Sequence, residues 1–158
     1  MSLESDDLAQ YITSLDIQAE LVHLAVETPT VSAAAEAVGV SPEQICKSLV
    51  FIAEESPVLV IASGNAPVSY KLLAQLLNVN RRKLKIAKPD EVLQATGYRV
   101  GTVPPFGHPN PLSTFVDSGV LEQTILYAGG GSIDTLLKIE STELLRATKG
   151  VGADLQGR

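Results

Sequence analysis

The stretch KSLVFIAEESPVLVIAS, residues 47–63, decides how the chain is read. Two apolar runs rich in β-branched residues, Leu49 to Ala53 and Val58 to Ala62, flank Glu54-Glu55-Ser56-Pro57. Runs of this length bounded by polar turn residues specify strands, so the stretch predicts a β-hairpin with a four-residue connection. Working toward the N-terminus, Ser41-Pro42-Glu43 opens a brief helical turn, an N-cap followed by proline at the first helical position. Ala33 to Val38 is a short helix stopped by Gly39. Glu20 to Val26 is a strand. Leu8, Tyr11, Ile12 and Leu15 recur at helical spacing, which predicts a helix within residues 1–18 capped by Ser5 or Asp6. On the C-terminal side come a loop from Ser63 to Pro67 and helices over Tyr70 to Leu77 and Pro89 to Thr96. A structured loop follows from Gly97 to Pro111. Strands at 112–116, 123–128 and 133–139 and a helix from Glu140 to Thr148 complete the order, with 150–158 expected to fray. Short strands mixed with short helices, without strict alternation, predict an α+β domain. Its sheet is expected to be curved, mixed and barrel-like, flanked by short helices, and the whole chain, 1–158, to form one domain.

Composition supports a folded chain. Among 158 residues, 45% are hydrophobic and 19% charged, enough to bury a core. One cysteine, Cys46, makes no internal disulfide. The acidic N-terminal stretch carries no hydrophobic region of the signal-peptide kind, and no apolar run approaches a membrane span, so a cytoplasmic protein without membrane association is expected. The net charge is −6, unevenly spread: eight of the eighteen acids and none of the twelve Lys and Arg residues fall within residues 1–46. Lys71, Arg81, Arg82, Lys83, Lys85 and Lys88 follow one another with no acid between them. Such a patch either steers a phosphate strand to a site or is a solvated charged face.

Three places carry chemistry. Lys47 stands where a strand enters the core, either as an edge lysine reaching solvent or as a pocket-wall cation that takes an anion. The loop GYRVGTVPPFGHPNP, residues 97–111, is stiffened by paired prolines, and the N–H groups of Thr102 and Val103 are candidates for holding an oxyanion or carbonyl oxygen. Gly129-Gly130-Gly131-Ser132 is a glycine hairpin that also offers close backbone approach to a substrate. His23, His108 and Cys46 are too dispersed for a metal site, no cofactor signature is present, and Cys46 reads as a buried structural thiol.

The ordered set of motifs resembles the YbaK/EbsC family, whose fold is shared with the editing domain of bacterial prolyl-tRNA synthetases. The matching pieces are Glu27-Thr28-Pro29-Thr30, GVSPEQICKSLVF, VLVIASGN, KLLAQLLN and GYRVGTVPPFGHPNPL, then Phe115-Val116-Asp117, YAGGGS and ELLRATKG. The resemblance runs in unbroken order from about Glu20 to Gly150. It implies a free-standing trans-editing hydrolase that deacylates mischarged aminoacyl-tRNA, prolyl-tRNA carrying cysteine or alanine, without metal or other cofactor. Lys47 falls on the family's essential lysine, which engages the phosphate or ribose of the tRNA 3′ end. Gly101, Thr102 and Val103 fall in the catalytic loop. Thr30, Ser48, Ser63, Gly64, Pro104, Pro105, His108, Asp117 and Gly130 fall around the substrate. Lys71, Arg81, Arg82 and Lys83 would meet tRNA backbone, and a prolyl-tRNA synthetase is an implied partner. Relatives of this type commonly carry glycine where Thr102 stands, and its side chain would narrow the pocket or donate a hydrogen bond. The alternative reading is an inactive module that captures the aminoacyl-tRNA 3′ end or docks on a synthetase.

Overall fold

The hairpin dominates the molecule, but its connection is tighter than the sequence predicts. In the computed structural model, which describes residues 2–64 and 66–157, the elements in chain order are as follows. The helices are α1 (Ser5–Ser14), α2 (Val31–Val38), α3 (Tyr70–Leu77), α4 (Pro89–Thr96), α5 (Ser118–Leu121) and α6 (Ser141–Thr148). The strands are β1 (Ala19–His23), β2 (Cys46–Ala53), β3 (Ser56–Ser63), β4 (Leu84–Ile86), β5 (Ser113–Asp117), β6 (Ile125–Gly129), β7 (Thr135–Glu140) and β8 (Val151–Ala153). Ala53 pairs directly with Ser56, leaving Glu54 and Glu55 as a two-residue turn at φ 49° and 72°. Two positive φ values match the right-handed twist of a hairpin, and the pairing carries Pro57 into the strand opposite Ile52.

The sheet is mixed, as expected, but there are two sheets and neither closes, so the barrel-like expectation is corrected. β1-β7-β6 form a three-stranded antiparallel sheet and β4-β2-β3-β5-β8 a five-stranded one, with β3, β5 and β8 parallel. A single parallel bridge from Ile45 to Tyr127 links the two. One core lies between them: Val50, Leu59, Ile61 and Val116 of the larger sheet meet Leu126, Leu137 and Ile139 of the smaller. A second core covers the other face of the larger sheet, with Phe51, Val60, Leu73, Leu84 and Leu155. A sheet buried on both faces needs apolar residues at successive positions, which is why Val58 to Ala62 does not alternate.

Helix ends follow local chemistry. Thr30 Oγ1 accepts the Ala33 N–H and Gly39 closes α2 at φ 71°. Glu4 rather than Ser5 or Asp6 caps α1, its N–H donating to the Asp7 carboxylate at 2.8 Å. The expected frayed tail is corrected as well. Residues 151–153 add β8 to the sheet, and Leu155 is fully buried. No helix among the described residues is long and apolar enough to cross a membrane.

Candidate functional site

Along its outer edge β2 is covered at both ends and bare between. β4 pairs with Phe51 to Ala53, the Ala87 N–H donates to the Val50 carbonyl, and the Tyr127 bridge takes Ile45. Among the described residues no strand pairs with Cys46 to Leu49 on that side. A cleft of about 270 Å³ opens at this gap. β2 contributes Cys46 to Val50 to its lining, the Gly97–Pro111 loop contributes Val100, Gly101 and Val103, and the β6 end contributes Ala128 and Gly129. Residues 28–31, at the entry to α2, complete it. Among the described residues Lys47 is the only charged residue of that lining, in surroundings otherwise apolar or hydroxylic.

Lys47 is half-buried, and its Nζ donates to the Ala66 carbonyl at 3.0 Å. Burial holds its pKa below that of an ordinary lysine, because water is lost around the charged form. Ser48 also lines the cleft, with its hydroxyl oxygen buried and without a hydrogen-bond partner among the described residues. A hydroxyl kept out of water without a partner is costly, so it is a ready donor and acceptor for a bound group. Cys46, by contrast, is buried and inert: its thiol is pushed up to about 12 by desolvation.

The Gly97–Pro111 loop has no ladder of its own and is held by its neighbours. Gly101 turns at φ 88°. The expected pair of donors is corrected, because the Thr102 N–H is spent on the Arg99 carbonyl at 3.0 Å and the Thr102 hydroxyl donates to the same carbonyl at 2.8 Å. Thr102 is buried and is not among the residues that line the cleft, so its side chain does not narrow it. Gly101 and Val103, whose N–H groups have no acceptor among the described residues, line the cleft together with Val100. The Thr102 carbonyl accepts the Gly131 N–H at 2.9 Å, and the Val103 carbonyl lies against Gly129 so closely that a Cβ there would overlap it. Pro104 and Pro105 are buried behind, and His108 Nε2 donates to the Pro104 carbonyl at 2.8 Å. Burial lowers the His108 pKa. From the other side Tyr11 of α1 stacks on Phe106, ring centroids 5.9 Å apart, and the Leu3 N–H donates to the Gly97 carbonyl at 2.7 Å.

The structure thus brings Lys47, Ser48, Gly101, Val103 and Thr30 to one cleft, though the Thr30 hydroxyl is occupied as the α2 cap. It does not bring Ser63, Gly64, Pro104, Pro105, His108, Asp117 or Gly130 to the lining. Ser63 and Gly64 bond to Glu43 and Ile45 across the start of β2. Asp117, fully buried, accepts from Gly119, Leu155 and Gln156 and so caps α5 while anchoring the chain after β8. Gly130 sits where a Cβ would collide with the Thr135 backbone, a hairpin requirement. The basic stretch is also apart from the cleft. Arg81 lies over the Tyr70 ring at 4.3 Å, and Lys85 pairs with Glu91 at 3.5 Å. Arg82 and Lys83 line a second, broader groove together with Glu54 and Glu55, and Lys71 is exposed on α3. Asn65, part of the VLVIASGN match, lies outside the described residues. Of the glycine turn singled out in the sequence, Gly129 lines the cleft, whereas sequence reasoning missed Val100 and Ala66.

Comparisons with known proteins bear on the fold and the family. A chain whose crystal structure is described as that of a candidate trans-editing enzyme for prolyl tRNA synthetase superposes with a TM-score of 0.91 and 31% identity, covering 100% of this chain and 99% of the other. The uncharacterized protein YwhH of Bacillus subtilis is 30% identical over 145 residues, 91% of this chain and 89% of its own. The proline–tRNA ligase of Pseudothermotoga lettingae is 32% identical over 114 residues, 70% of this chain but only 19% of the ligase. The family model of the aminoacyl-tRNA editing domain matches residues 25–147, the span that contains the bare β2 edge, Lys47 and the 97–111 loop. The chain belongs to the aminoacyl-tRNA editing domain family.

Proposed function

We propose that the protein is a trans-editing hydrolase that deacylates mischarged aminoacyl-tRNA, with prolyl-tRNA carrying cysteine or alanine as its substrate. The observation that carries this reading is Lys47, the one charged residue among the described residues that line the cleft at the open edge of β2. An aminoacyl ester is already activated, so the protein has to orient it, admit a water and stabilise a tetrahedral oxyanion. Lys47 suits the phosphate or ribose at the tRNA 3′ end. Gly101 and Val103 offer N–H groups to developing negative charge, and the Ser48 hydroxyl gains the partner it lacks. Val31, Ala34, Ile45 and Leu136 give the cleft an apolar lining suited to a short side chain. One methylene discriminates by only ~1–3 kcal/mol in such a pocket, which is why a second sieve apart from the synthetase is useful.

The test is deacylation of prolyl-tRNA charged with cysteine, alanine, serine or proline, by wild type and by Lys47→Ala. Rapid loss of cysteine or alanine with proline spared, and a fall of about 100-fold or more in kcat/KM for the variant, is the expected result; removal of a charged stabilising group costs this order. Intact esters together with retained tRNA binding would sink the catalytic reading and leave a module that captures the 3′ end.

A further inference from the structure

Gln156 lies outside the cleft lining, yet its side chain is engaged on every side with the backbone beside Lys47. Its amide pairs with Ser63 in both directions: the Ser63 N–H donates to Oε1 at 3.0 Å, and Nε2 donates to the Ser63 carbonyl at 3.0 Å. The same Nε2 donates to the Ala66 carbonyl at 2.7 Å. That oxygen is also the acceptor of Lys47 Nζ, at 3.0 Å. A carbonyl oxygen carries two lone pairs and can hold both donors.

The root of Gln156 is fixed as firmly as its tip. Asp117 Oδ1 accepts the N–H groups of Leu155 and Gln156 at 2.8 and 3.1 Å. The Ser69 N–H donates to the Leu155 carbonyl at 2.7 Å, so the two ends of the 63–69 segment are tied to neighbouring residues of the chain's last turn. A lysine stem carries about 2 kcal/mol of rotamer entropy, and an ammonium is held at one point only if its acceptor is itself immobile. Two buried or half-buried side chains, Asp117 and Gln156, supply that immobility to the Ala66 carbonyl.

We infer that Gln156 is a positioning residue for Lys47, pinning the Ala66 carbonyl that holds the ammonium at the cleft. The inference rests on the reading of Lys47 as the contact for the tRNA 3′ end, and it has a readout independent of that reading. The experiment follows the Lys47 ammonium signal by NMR and measures deacylation kinetics for Gln156→Ala, for Gln156→Met, which keeps the bulk, and for Asp154→Ala as a control. Asp154 is exposed and, among the described residues, accepts the Gly157 N–H at 3.2 Å. The expected result is a Lys47 ammonium signal present in wild type and Asp154→Ala and broadened away in both Gln156 variants. KM should rise about five- to tenfold with kcat little changed, the size of one net hydrogen bond lost from substrate binding. Melting temperatures should stay near that of wild type. An unchanged Lys47 signal in both Gln156 variants overturns the inference, as does a loss of kcat that only tracks a collapse in melting temperature. Should wild type clear no ester at all, the functional reading fails, and the ammonium signal alone still decides whether Gln156 positions Lys47.

Discussion

The two walls of the cleft are built on different principles. The β2 wall is a strand, paired with β3 at every residue from Cys46 to Ala53, and its geometry is set by a hydrogen-bond ladder. The loop wall, Val100 to Val103, has no ladder; it is set by what presses on it, namely the glycines of the β6–β7 turn, His108 and α1. The strand wall should therefore tolerate loss of one side chain, whereas the loop wall should fail when a single neighbour grows by one methyl group.

The largest effect is expected at Gly129. A Cβ there meets the Val103 backbone rather than a movable side chain. Gly129→Ala should cost about 3 kcal/mol, a melting shift of about 6–12 °C for a chain of this size, together with most of the deacylation. A variant that keeps its stability and activity would break the comparison. Thr102→Gly comes next. It removes the hydroxyl bond to the Arg99 carbonyl and loosens the backbone, at a cost of about 1–2 kcal/mol by thermal melting. Because Thr102 does not line the cleft, the ranking of amino acids cleared should not change. A shift in that ranking would mean the loop wall reads the substrate through this position.

The smallest effect is expected on the strand wall. Cys46→Ala should cost about 1 kcal/mol at pH 7.5. The folded thiol ionises only near 12, against 9.0 for an unperturbed thiol, so its contribution is complete below about pH 9 and is lost as pH rises toward 12. The gap between wild type and variant, followed by denaturant melts, should therefore narrow above pH 9. The native thiol should also resist alkylation at pH 8, and rapid labelling would show a strand wall looser than its ladder implies.

How far each wall was legible in the sequence follows the same division. The strand wall was legible because its apolar run and Lys47 are local facts, although the turn was read two residues too long: Ser56 and Pro57 look like turn residues and are in fact paired. The loop wall was legible as a stiff loop but not in its donors, since nothing in the residue types announces the local turn in which Thr102 bonds the Arg99 carbonyl three residues back. Asp117 and Gly130 carry resemblance to family positions, yet their work is to cap and to turn. The segment after Gly150 was the hardest to read. Val151-Gly152-Ala153 is too short to announce a strand, and what fixes it is a carboxylate 38 residues earlier in the chain, bonded to the Leu155 N–H.

The strand order has a kinetic consequence. β1 pairs with β7, joining residues 19–23 to 135–139, and β5 with β8 joins 115–117 to 151–153. Contacts of such separation close large loops before they reward the chain, and topologies dominated by them fold on the millisecond-to-second scale. The cleft draws on β2, β6 and β7 together, so it exists only after both sheets are laid down. On dilution from denaturant the hairpin can form early, but the completed cleft should appear last, in step with the docking of the small sheet.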